Sequence, residues 1–142
     1  MAGHALIDTG VILALLDRSD KWHAACVEAY NRTPLPLLTT EAVLAEVFHL
    51  TYRNLHDVRG AWRLLRSGAI RMASIENDEL AKIQALMHDY ADHPMDFADA
   101  TLVHIAARES LGLILTVDED DFETYRIGGR KRFTILPGRE TK

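Results

Sequence analysis

One cysteine, Cys26, stands in the whole chain, so no internal disulfide can form and no Cys-based zinc site is available. No signature of a Cys-dependent active site surrounds it, and it reads as a small buried hydrophobe. No apolar run is long enough to span a bilayer. The longest uncharged one near the N-terminus runs only from Thr9 to Leu16, with no basic segment or small-residue cleavage site before it. The expectation is therefore a cytoplasmic protein without membrane contact. The patterns GxGxxG, GxxxxGK and GxSxG are absent, which removes support for dinucleotide binding, P-loop nucleotide binding and serine hydrolysis. The seven histidines lack zinc-site pairing: His88 and His93 flank an expected helix end, and His49 and His104 read as ordinary helix residues. A phosphoacceptor receiver domain would need an acid pair near the first strand and a lysine at a late strand end, and neither occurs. Trp22 and Trp62 read as packing anchors on helices rather than base-stacking platforms.

What is present is a chain 48% hydrophobic and 26% charged, enough apolar surface for one globular domain spanning residues 1–142. No repeat, low-complexity run or Pro/Gly/Ser-rich linker divides it. HALID is short enough for a buried strand, and Thr9 and Gly10 open a helix through Leu16. A second helix is expected over Lys21 to Tyr30, after Ser19 and Asp20 as caps. The NRTPLP turn leads to a strand near Leu37 to Thr39, and Thr40 caps a helix reaching Tyr52. Further helices are predicted over Val58 to Ser67, from a cap at Asp78 to Tyr90, and from Phe97 to Leu111 with Gly112 as the stop. Strands fit Ala69 to Ala73, GLILTVD and RFTILP, with DDFETYR as a short helical turn. Strands alternating with helices, and uncharged through their middles, indicate an α/β fold with a central, mostly parallel sheet covered on both faces.

The net charge of -5 conceals a segregation of sign. Glu76 to Glu123 holds 13 acids and two bases, Arg53 to Arg71 five arginines and one acid, and Arg126 to Lys142 six bases and one acid. The basic segments can grip a polyanion. Solvated charged helix faces account equally well for either segment taken alone.

Three lone carboxylates interrupt apolar runs: Asp8 in ALIDTGVILALL, Glu46 in AVLAEVFHL and Asp99 in FADATLVHIAA. A fourth, Asp118, ends GLILTV. A buried carboxylate must be paired, protonated or bound to a cation, and no lysine or arginine lies between Met1 and Leu16 or between Pro34 and Tyr52. Asp8 and Asp118 fall at the C-terminal ends of predicted parallel strands, where open α/β sheets place their sites. Asp96 and Asp99 share a helix face. Converging carboxylates repel unless a cation holds them, and an all-oxygen set suits Mg²⁺ or Mn²⁺. Each acid also has a plain structural role: Asp96 as an N-cap, Asp99 near a helix N-terminus, Glu46 on a surface, Asp118 at a turn.

LIDTG, TTEAVLAEVFHL, MDFADATLVHIAA and LTVDEDDFETYR, in this order over nearly the whole chain, resemble the successive motifs of PIN-domain ribonucleases, particularly VapC-like toxins of bacterial toxin-antitoxin pairs. The resemblance implies a three-layer PIN-like domain with Asp8, Glu46, Asp99 and Asp118 as its catalytic and metal-binding acids. It makes Asp96 an accessory acid and Thr9 and Thr116 hydroxyl positions flanking the metal, and leaves open which of Asp120 and Asp121 assists. It further implies an endoribonuclease using Mg²⁺ or Mn²⁺, an RNA substrate such as tRNA or rRNA, a cognate antitoxin and a homodimer. Arg53, Arg59, Arg63, Arg130 and Arg132 are then candidates for holding RNA phosphates. The rival expectation is a non-catalytic PIN-like protein that binds RNA or a partner without cleaving.

Overall fold

The computed structural model describes residues 3–138. Arg139 and Lys142, two of the bases counted above, lie outside the described residues, as do the ends of the 1–142 domain. Five short apolar runs form one sheet: β1 (Ala5–Ile7), β2 (Leu37–Thr40), β3 (Ile70–Ala73), β4 (Leu113–Leu115) and β5 (Thr134–Leu136). Their order is β3-β2-β1-β4-β5 and every neighbouring pair is parallel. All residues of β1 and β2 are buried, as continuous apolar strands in a doubly covered sheet must be. The helices are α1 (Thr9–Leu16), α2 (His23–Arg32), α3 (Glu41–Thr51), α4 (Leu55–Arg66), α5 (Leu80–Asp89), α6 (Phe97–Glu109) and α7 (Glu119–Thr124). α1 packs with α2, α3 and α4, and α5 with α6. Right-handed crossovers between parallel strands put these two groups on opposite faces, giving three layers.

From β1 the chain builds outward to β2 and β3, then returns to add β4 and β5 on the other side. The strand order therefore reverses between β1 and β4, and their C-terminal ends border the crevice such a reversal creates. α6 is buried continuously from Ala98 to Ala106, a helix wrapped by protein on all sides. Its beginning is tied to the same edge, since the Thr101 and Thr40 hydroxyls hydrogen-bond at 2.8 Å. No helix among the described residues is long and apolar enough to cross a membrane.

Several local expectations are corrected. α6 stops at Ser110, whose left-handed backbone (φ 56°) ends the helix while the Leu111 amide bonds back to the Ala106 carbonyl. Gly112 instead leads into β4, its carbonyl accepting from the Thr134 amide. Asp78 is not the cap before α5. A 3₁₀ turn, Asn77–Glu79, precedes that helix, and Glu76 and Glu79 cap it reciprocally. α4 starts three residues earlier than expected because the Asn54 side chain accepts from the Asp57 amide. Trp22 and Trp62 are not buried anchors: they are 36% and 51% exposed, Trp62 resting on Phe48 with ring centroids 5.0 Å apart. His104 is buried and bonds Glu79 at 2.8 Å, and Arg108 reaches the same Glu79 oxygen. Cys26 is fully buried, as expected, and burial pushes its thiol up to about 11.

One glycine matters to the site. Gly10 lies in the first turn of α1, and a Cβ there would stand 2.5 Å from Val117 Cγ2, just past β4. Its absence lets the start of α1 approach the end of β4. Gly10→Ala should destabilise the fold by about 1–3 kcal/mol through overpacking. Gly112→Ala, with nothing within 4 Å of the new carbon, should stay within about 0.5 kcal/mol of the parent. Urea unfolding of the two variants checks the contrast.

Candidate functional site

Asp8 leaves β1 and caps α1. Its backbone amide donates to the Leu115 carbonyl, so the residue is fixed against β4. Each oxygen of its side chain accepts one hydrogen bond and keeps a further lone pair: Oδ1 accepts from the Thr9 amide at 2.7 Å and Oδ2 from the Thr116 hydroxyl at 3.0 Å. The Thr116 hydroxyl also accepts from the Asp118 amide at 3.0 Å, which ties the turn after β4 to Asp8. The Thr9 hydroxyl donates to Glu46 Oε1 at 3.0 Å, linking α1 to the middle of α3. Asp96 caps α6 by accepting from the Asp99 amide at 2.7 Å. Asp99, one turn in, points inward, and its Oδ2 accepts from the Tyr125 hydroxyl at 2.8 Å.

Asp8 and Asp99 are 4% and 8% exposed, while Glu46, Asp96 and Asp118 lie on the exposed rim. Among the described residues none of the five forms an ion pair with lysine or arginine. Their ionisation shows the consequence. Burial pushes Asp8 up to about 7; its Thr9 and Thr116 hydrogen bonds offset part of this, and the charges of Asp118 and Glu46 add to it. Burial and then the Asp8 charge push Asp99 up to about 8, against the Tyr125 hydrogen bond, with Asp96 and Asp121 adding repulsion. Asp118 is raised by burial and by the charges of Asp121 and Asp96. The acids thus sit within each other's fields at one sheet edge.

Among the described residues, no group of three His, Cys, Asp or Glu side chains is arranged to hold a metal ion. The donor chemistry nevertheless fits a hard divalent cation. Two fixed, buried carboxylates repel one another with no ammonium or guanidinium to relieve them, and exposed carboxylates surround them. Rim side chains are the ones whose rotamers an ion can draw inward.

Among the described residues the predicted phosphate-binding arginines form no ion pair with these acids. Arg53 follows α3, about 10 Å of helical rise beyond Glu46. Arg53 packs over the Tyr52 ring at 5.3 Å. Arg59 and Arg63 are on α4, and Arg63 lines a hollow with Leu16, Asn31 and Ser67. Arg130 lies in the loop closed by the Ile127–Lys131 bridge, and Arg132 precedes the N-terminal end of β5, the opposite sheet edge. The bases that share a cleft of about 1040 Å³ with Asp118, Asp120 and Asp121 are Lys21 and Arg32, which sequence reasoning passed over. It also missed Tyr125, and His93, whose Nε2 meets Asp121 Oδ1 at 2.8 Å. Nothing in the spacing joins Tyr125 to an acid 26 residues earlier.

The PIN domain family profile matches residues 5–127, and the chain belongs to that family. Ribonuclease VapC26 of Mycobacterium tuberculosis is 31% identical over 134 residues, covering 93% of this chain and 99% of the relative. The fold is shared with the crystal structure of M. tuberculosis VapC20, described as a sarcin-ricin loop cleaving toxin. The TM-score is 0.69 at 18% identity, over 78% of this chain and 86% of that one. A toxin-antitoxin complex from Klebsiella pneumoniae matches with a TM-score of 0.67 at 20% identity, over 84% and 91% of the respective chains.

The raised carboxyls carry a pH signature. Between the ordinary value of 3.8 and the folded values of about 7 and 8, the native state holds more protons than the unfolded chain. Stability of the protein in EDTA should therefore fall as pH rises from about 4 to about 8. Asp8→Asn should flatten this slope and stabilise the metal-free protein at pH 8 by about 1–3 kcal/mol. Denaturant titrations of both proteins at pH 5 and pH 8 test the sign.

Proposed function

We propose that this protein is a divalent-metal-dependent endoribonuclease, the toxin of a toxin-antitoxin pair. In this reading Asp8, Glu46, Asp99 and Asp118 are its catalytic acids and Asp96 their accessory. The observation that carries the reading is the pair Asp8 and Asp99: buried, mutually repelling and without a cationic side chain to hold them. Family membership and the likeness to Ribonuclease VapC26 support the reaction class, and the Klebsiella pneumoniae complex supports an antitoxin partner. An RNA substrate of the tRNA or rRNA type, a cytoplasmic location and a homodimer complete the proposal.

Mg²⁺ or Mn²⁺, when bound, would lower the pKa of a water and screen the charge that develops on the scissile phosphate. Asp8, Asp99 and Asp118 would hold the ion. Thr116 keeps Asp8 and the Asp118 backbone in register through its one hydroxyl, which donates to the first and accepts from the second. Thr9 fixes Glu46 through Oε1, which leaves Oε2 to accept a proton from water at the rim. Lys21 and Arg32, the latter 4.0 Å from Glu28, border the cleft beside Asp118 and would meet substrate phosphates there.

The purified protein, incubated with structured tRNA and rRNA fragments, should cleave them in Mg²⁺ or Mn²⁺ and stop in EDTA. Asp8→Asn should lower the rate by at least about 100-fold, since it removes an ion ligand rather than a ligand's neighbour. Cleavage that persists in EDTA would overturn the metal mechanism. Intact RNA under every condition, with RNA still bound, would replace the enzyme by the binding-only protein.

A further inference from the structure

Tyr125 follows α7 directly and has no exposed surface. Its ring meets Tyr90, Phe122 and His93 edge-on, with centroids 5.2, 5.1 and 6.0 Å away. Three near-perpendicular contacts, two from the turn after α5 and one from α7, hold the ring in one orientation. The direction of its hydroxyl is therefore set by aromatic packing, not by the acid it meets. That hydroxyl donates to Asp99 Oδ2, and among the described residues it is the donor to this side chain. Asp99 Oδ2 therefore carries the phenol's hydrogen bond, and Oδ1 is the oxygen more open to a ligand.

This asymmetry bears on which cation fits. Ca²⁺ takes about 6–8 oxygens at flexible geometry and readily accepts both oxygens of one carboxylate, whereas Mg²⁺ demands a near-ideal octahedron of single-oxygen ligands. Asp8 is held differently, with the Thr9 amide on one oxygen and the Thr116 hydroxyl on the other, so that it reaches an ion only through the second lone pair of an oxygen already bonded. Neither buried acid presents two bare oxygens to an ion. We propose, resting on the metal-ion reading above, that Tyr125 is a positioning residue that holds Asp99 as a one-oxygen ligand. It thereby sets the site's preference for small octahedral cations, Mg²⁺ or Mn²⁺, over Ca²⁺. Its hydroxyl acts through Asp99 and does not touch the ion.

Tyr125→Phe keeps the ring and removes only the oxygen. Mn²⁺ binding to the full chain can be read without RNA from the loss of the free-ion electron paramagnetic resonance signal, and Ca²⁺ binding from its competition with Mn²⁺. The unsubstituted protein should prefer Mn²⁺ over Ca²⁺ by roughly tenfold or more, and Tyr125→Phe should weaken Mn²⁺ binding by about tenfold, the scale of losing a partner that orients a ligand. Ca²⁺ binding should weaken less or improve, because Oδ2 is released, so the ratio narrows. A ratio unchanged in Tyr125→Phe, even with a lower melting temperature, would reduce Tyr125 to a packing role and overturn the inference. Equal affinities for Mn²⁺ and Ca²⁺ in the unsubstituted protein would overturn it whether or not the variant folds. Absence of Mn²⁺ binding by the unsubstituted protein would instead overturn the metal-ion reading itself.

Discussion

Two carboxylates, Asp8 and Asp99, are buried at one edge of a parallel sheet with no lysine or arginine paired to them among the described residues. Burying an uncompensated negative charge is among the most unfavourable things a small domain can do, and burying two as neighbours compounds it. The protein tolerates this because each acid is held by donors that belong to the backbone and core. The Thr9 amide and Thr116 hydroxyl take Asp8, and the Tyr125 hydroxyl takes Asp99. Those bonds fix the acids without neutralising them. Below about pH 7 to 8 protons meet that charge, and a divalent cation can take their place.

The fold supplies the convergence. A parallel strand delivers Asp8 to the sheet edge and a second delivers Thr116 and Asp118 beside it, because β1 and β4 are adjacent where the strand order reverses. Gly10 lets α1 start close against Val117. α6 must enter a fully enclosed position, and its uncharged stretch after Asp99 allows it to do so. Asp96 serves twice, ending the loop as a cap and adding its charge to the field on Asp99 and Asp118. Helix capping and site construction are here the same contacts.

Asp8 and Asp99 were legible in the sequence because each interrupts an apolar run whose burial could be foreseen, whereas Glu46 interrupts such a run and lies exposed. A mostly parallel sheet was expected from the strand-helix alternation, and every neighbouring pair is in fact parallel. Features that depend on side chains meeting across the fold were not legible. Tyr125 finds Asp99, and His93 finds Asp121, only after α6 and α7 are packed. The arginine-rich stretch suggested a phosphate grip by composition, and the contact Arg53 makes with the Tyr52 ring could not be read from a charge count. The stop at Ser110 in place of Gly112, and the cap at Glu76 in place of Asp78, were decided by local hydrogen bonds among residues that all satisfy the same propensity rules.

Crystals grown with Mn²⁺ and measured near its absorption edge test the central claim most directly. An anomalous peak between Asp8 and Asp99, with Asp99 Oδ1 and at least one rim carboxylate around it, is the predicted result. A peak only at distant surface acids, with Asp8 and Asp99 unmoved and unliganded at saturating Mn²⁺, would contradict the account.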